Sequence, residues 1–128
     1  MRYFCRKQEK FLEKLLFHLP ELEKAVEDTR HRKEKEAEQS DDPTGRFAVL
    51  GLSAENMEVW LQVLDGELEK VREEEPFKYK IFMRRYLDKE LPEITCRKKY
   101  ISLSTYWRWR KELLLVVGLK AQEKNLKF

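Results

Sequence analysis

The chain has 128 residues, 27 of them Lys or Arg and 24 Asp or Glu, for a net charge of +3. That length suits one domain, or one small domain with an arm. Charged residues make up 40% of the chain, which points to long solvated helical faces or partial disorder; 41% hydrophobic and 12% aromatic residues exclude wholesale disorder. The longest apolar stretch, residues 113–119, falls far short of the roughly 20 residues a membrane span needs. The N-terminus runs straight into charge and lacks the apolar segment of a signal peptide. Cys5 and Cys96 are far apart and match no metal or redox spacing. The expectation is a reduced, cytoplasmic protein with no membrane partner.

The small net charge hides an asymmetry. Residues 1–75 carry a net −6 and residues 76–111 a net +8. A basic block of that size attracts polyanions even when the whole chain is nearly neutral. Solvated helix faces would give the same count, so charge alone leaves the choice about even.

Phe4, Phe11, Leu12, Leu15, Leu16 and Leu19 recur on one helical face. A first helix should end near His18, with Pro20 in the first turn of the next. Glu21 and Glu23 then suit the positive end of that helix's dipole. Leu22, Ala25 and Val26 give it a brief apolar face. From residue 27 to 42 only Ala37 is apolar. With no packed face, that stretch reads as a fraying helix or a flexible arm, disorder slightly ahead.

The turn signal Asp42-Pro43-Thr44-Gly45 opens the second half. Ser53 is placed to cap a helix whose stripe is Met57, Trp60, Leu61, Leu64, Leu68 and Val71, ending near Glu75. Gly66 lies inside it, at a cost of roughly 1 kcal/mol relative to Ala. Pro76 opens a further helix with Phe77, Ile81, Phe82, Met83, Tyr86 and Leu87. A short helix should follow over about residues 92–99. A last one, capped by Ser102, should run to about Val117, where Gly118 would stop it. No strand signal survives for five positions. The expected fold is all-α: N-terminal helices and a charged arm over 1–42, and a helical domain over 43–128 with a helix-turn-helix at about 92–117.

The most informative words are Ile-Ser-Leu-Ser-Thr-Tyr-Trp-Arg-Trp-Arg at 101–110. A helix-turn-helix needs a buried turn residue, a capped second helix and a polar face for a DNA groove. Ile101 supplies the anchor and Ser102 the cap. Tyr106, Trp109, Leu113 and Val116 should face inward. Ser102, Leu103, Ser104, Trp107, Arg108 and Lys111 fall on the opposite face and are the expected base readers. Arg97, Lys98, Lys99 and Arg110 flank them and are the expected phosphate contacts. Trp107 and Trp109 are two residues apart, so both cannot face one core.

This block resembles the sigma region-4 type of helix-turn-helix, and more narrowly the RinA and ArpU groups of phage late-gene transcriptional regulators. Arg84-Arg85-Tyr86-Leu87 and the Asp42-Pro43-Thr44-Gly45 turn are similar as well. The resemblance covers residues 76–117, more loosely 41–75, and nothing in the first 40. It implies a transcriptional activator of phage or prophage late genes, in the cytoplasm of a bacterial host. That family usually has Ala-x-x-Leu-Gly before the Ile-Ser pair. Cys96 takes the Ala position, Lys99 the Leu and Tyr100 the Gly. A Tyr at φ > 0 is strained, which predicts a reshaped or longer turn.

Other chemistry has little behind it. His18 and His31 lack metal-ligand spacing, Cys96 lacks a base, and no Gly-rich phosphate loop exists. No enzyme activity, cofactor or metal is expected. The reading is sequence-specific binding of double-stranded DNA. The alternative is a helical interaction module, in which the stripe of residues 4–26 forms a homodimer or docks RNA polymerase. An isolated helix cannot bury that stripe, so it must pack on the Trp60 helix, on a second copy or on a partner; of these, self-association is the expectation.

Overall fold

A computed structural model describes the backbone of residues 6–35 and 54–126, and side chains within 6–30 and 55–126. Phe4, Cys5, the side chain of His31, the 42–45 turn and the Ser53 cap lie outside them. All regular structure among the described residues is helical: α1 (Arg6–Phe17), α2 (Leu19–Lys35), α3 (Ala54–Glu74), α4 (Pro76–Tyr86), α5 (Pro92–Lys99) and α6 (Leu103–Glu123).

The break between α1 and α2 follows from Pro20. Its missing N–H is harmless in a first helical turn, and the first bond of α2 comes from Leu22 N–H to the His18 carbonyl at 2.8 Å. Leu12, Leu15 and Leu16 of α1 and Leu22, Ala25 and Val26 of α2 then bury against Met57, Trp60, Leu64 and Leu68 of α3. Phe82 and Tyr86 of α4 and Leu113, Leu114, Val117 and Ala121 of α6 close the same core. Phe11 meets Trp60 edge-to-face at 5.6 Å.

This packing corrects three expectations. The first two helices are not an arm, because they share one core with α3, α4 and α6. The stripe read as a self-association surface is therefore buried within the chain: Leu15 and Leu22 are fully enclosed. The charged stretch of residues 27–42, read as a fraying helix or a flexible arm with disorder slightly ahead, is helical to Lys35, and residues 36–42 lie outside the described residues. It propagates from the packed turn at Ala25 and Val26, where each added residue contributes one backbone bond. Thr29 Oγ1 donates to the Ala25 carbonyl at 2.9 Å, and Arg30 Nε reaches Glu58 of α3 at 3.0 Å.

The last helix also departs from its sequence reading. Gly118 does not stop α6; it is buried inside it with Val117 and Ala121. Tertiary packing outweighs the helix cost of one glycine, about 1 kcal/mol. The helix ends instead at Glu123, and Asn125 just beyond it takes φ 62°. Leu126 N–H then returns to the Ala121 carbonyl at 2.9 Å and the Leu126 side chain is buried, a closure with its hydrophobic contact. Because α6 packs along its full length, its inner stripe is Tyr106, Arg110, Leu113, Leu114, Val117 and Ala121, with Val116 exposed rather than inward.

Candidate nucleic-acid interface

Helices α4, α5 and α6 form a unit around a small core of Ile81, Cys96 and Tyr106, with Ile101 and Trp109 packed against it. Ile101 thus anchors the turn. Burial pushes the Cys96 thiol up, and acidic Glu93 nearby adds to it, so Cys96 is a small filler rather than a nucleophile.

The loop before α5 is held by Glu90. Its carboxylate accepts from Thr95 Oγ1 at 2.6 Å and from Lys98 Nζ at 3.0 Å, with Arg84 at 3.4 Å. The bonds from Thr95 and Lys98 pull the Glu90 carboxyl down to about 2, with the Lys98 and Arg84 charges adding to them. Pro92 then opens α5 with its fixed φ.

The turn is neither reshaped nor lengthened. Tyr100 itself takes the left-handed conformation, φ 60° and ψ 45°, and its N–H bonds the Cys96 carbonyl. Ile101 N–H bonds the same carbonyl at 3.1 Å. Ser102 is extended, and its Oγ accepts the Thr105 N–H at 3.1 Å, capping α6 as its position implied.

Beyond the cap, Leu103, Ser104, Trp107, Arg108 and Lys111 are all exposed on one side of α6, together with Ser102. Leu103 and Trp107 are 42% and 45% exposed, as open as Phe77, Leu87 and Leu119 elsewhere on the surface. The Ser102 hydroxyl is already engaged by the cap and by Thr105 Oγ1 at 2.9 Å, which leaves it less free for a base than its neighbours. Of the two adjacent tryptophans, Trp109 is the half-buried one. It packs edge-on to Phe77 at 6.1 Å, with Lys78 Nζ 5.2 Å from its ring centre.

The four flanking cations divide. Arg97 and Lys98 are exposed, Lys98 bridging to Glu90. Lys99 is half-buried and lines a shallow groove with Lys80 and Arg84 of α4. Arg110 is turned inward, and this corrects its assignment as a phosphate contact. Its guanidinium meets Glu13 of α1 at two points, 2.8 and 3.0 Å, and only 19% of its side chain is exposed. Tyr86 Oη donates to the same carboxylate at 3.0 Å. Burial raises the Glu13 carboxyl, but the Arg110 bonds and charge and the Tyr86 bond together outweigh it and hold it below 4.5. The outer face of the guanidinium lies 5.6 Å from the Trp107 ring centre.

The sequence reading did not include Lys80, Arg84 or Glu13. Lys80 and Arg84 belong to the same basic block, and their four-residue spacing on α4 was the available signal. Glu13 had none, because its partner is 97 residues away.

Among the described residues no group of three or more His, Cys, Asp or Glu side chains is gathered to hold a metal ion. None of the described helices is long and apolar enough to cross a membrane. Compared with protein-family models, curated proteins and solved structures, the chain matches none.

Proposed function

We propose that the chain binds double-stranded DNA sequence-specifically and regulates transcription, with α6 entering the major groove. The observation that carries this reading is the Ser102-capped start of α6. There Leu103, Ser104, Trp107, Arg108 and Lys111 stand clear of the fold on one side, next to Arg97 and Lys98. That is the part of a recognition helix that meets base edges. Arg108 and Lys111 suit guanine O6 and N7, and the apolar pair Leu103 and Trp107 suits thymine methyls. Arg97, Lys98 and Lys99, joined by Lys80, neutralise phosphates and release counterions. Binding is noncatalytic and needs no cofactor.

The resemblance to phage late-gene regulators makes activation of such genes, in the cytoplasm of a bacterial host, the working form of the proposal. Selection from random duplexes, followed by titration of the recovered site against salt, tests it. Recovery of one motif, with affinity falling steeply as salt rises, is the expected result. Salt-insensitive binding without sequence preference would sink it. A second reading, docking on a protein such as RNA polymerase, draws support from the exposed Leu103 and Trp107. It predicts that both residues matter for polymerase capture and neither for duplex binding.

A further inference from the structure

Three non-glycine residues among those described hold a positive φ: Lys89, Tyr100 and Asn125. The left-handed region is unfavourable for any L-residue with a Cβ, and least so for Asn and Asp. Asn125 is of the tolerant type and closes α6. Lys89 is compensated by its side chain. Its ammonium donates to the Tyr86 carbonyl at 2.7 Å and to that of Phe17, and sits 5.0 Å from the Phe17 ring centre. It thereby ties the ends of α1 and α4 together.

Tyr100 has neither excuse. A glycine would close α5 with the same backbone bonds and no strain. The Tyr100 side chain offers the fold nothing in return, for the residue is 95% exposed. Folding stability therefore does not explain an aromatic ring at this position. The phenol stands in water on the turn that joins α5 to α6. Arg97, Lys98 and Lys99 precede it and the Ser102 cap follows. Strain held without a local return marks a functional position more often than an accident.

We propose that Tyr100 is a DNA-backbone contact: its phenol O–H donates to a phosphate oxygen at the edge of the groove that α6 enters. This rests on the DNA-binding reading above. Tyrosine hydroxyls are among the groups that bond phosphates and fix register without reading sequence. Because the phenol is neutral, its bond adds affinity without displacing a counterion. That separates it from the neighbouring cations, whose removal flattens the salt dependence.

The experiment uses the full chain, its selected duplex and a scrambled duplex. Fluorescence anisotropy is measured over a salt series for wild type, Tyr100→Phe and Tyr100→Gly, with Lys98→Gln for comparison. Tyr100→Gly should melt at or slightly above wild type, because the relief of left-handed strain outweighs the extra chain freedom a glycine loses on folding. It should nevertheless bind both duplexes about tenfold more weakly, the effect of one bond to a charged acceptor. Tyr100→Phe should lose the same factor, with the salt slope of both variants unchanged. Lys98→Gln should reduce that slope. Wild-type affinity in Tyr100→Phe would overturn the hydroxyl contact, even if Tyr100→Gly were weak. A melting temperature many degrees below wild type, beyond the chain-entropy cost of a glycine, would show that the ring serves the fold, and would also overturn it. If wild type itself binds neither duplex, the failure belongs to the DNA-binding reading as a whole.

Discussion

Arg110 of α6 and Glu13 of α1, 97 residues apart, meet through two hydrogen bonds of 2.8 and 3.0 Å. The same guanidinium lies 5.6 Å from the ring centre of Trp107, on the exposed side of α6. One side chain thus links the first helix to the candidate recognition surface. The pair lies on the same inner side of α6 as the buried Tyr106, Leu113 and Leu114.

Glu13→Gln should destabilise the fold by about 1–3 kcal/mol, since it removes the charged hydrogen-bond partner of Arg110 and leaves only Glu9, 3.9 Å away, as a counter-charge. The loss should depend on pH. The folded Glu13 carboxyl titrates below its ordinary value of 4.5. Its contribution is therefore complete above that value and fades as pH falls through the folded one. Urea unfolding of wild type and variant at a series of pH values checks this. The gap between the two curves should be constant near neutrality and shrink in acid.

Gly66 lies on the exposed side of α3, and a methyl group there meets no heavy atom within 4 Å. Gly66→Ala should stabilise the protein by about 0.5–1 kcal/mol, by narrowing the unfolded ensemble and raising helix propensity. A midpoint in urea that stays put or falls would mean that the outer face of α3 has a partner in solution.

The three tryptophans should rank by burial. Trp60 is fully buried, and Trp60→Ala should cost about 3–5 kcal/mol. Trp109→Ala should cost less, because its ring is only partly enclosed between Phe77 and Lys78. Trp107→Ala should cost least in stability and most in duplex affinity. Equilibrium unfolding and DNA titration of the same three variants read both orders at once.

Arg108→Ala should lower affinity for the selected site by about 1–3 kcal/mol and relax preference at one base position. Footprint-guided binding to single-base variants of the site measures it. Unchanged preference in a folded variant would remove Arg108 from the reading face.

The exposed cations make a different demand. Neutralising Arg97, Lys98 and Lys99 together should weaken binding to all duplexes alike and lower the salt slope by about 0.9 for each true phosphate contact. Arg110→Gln should leave the slope unchanged, because its guanidinium is held by Glu13 rather than offered to DNA. Equal slope losses for the two variants would contradict the inward placement of Arg110.

Local patterning was enough to place the helices. Pro20, Pro76 and Pro92 each open a helix near where proline chemistry allows, and Ser102 caps α6 because its hydroxyl sits three residues before the Thr105 N–H. The outward set on α6 was legible too, since helical periodicity alone separates Arg108 and Lys111 from Tyr106 and Leu113. These are near-neighbour effects, and the chain states them within a turn or two. Contacts across the fold were not legible. No local signal could show that Glu13 draws Arg110 inward, decide between the Trp60 helix and a second copy as the cover for the stripe of α1 and α2, or show that burial carries α6 through Gly118. The backbone of Tyr100 belongs to the same class. Its alignment with a Gly position signalled a turn there, but not that Tyr100 itself would take the left-handed conformation. Tertiary packing decides such cases because the core stabilises by more than the roughly 1–2 kcal/mol that one glycine or one strained residue costs.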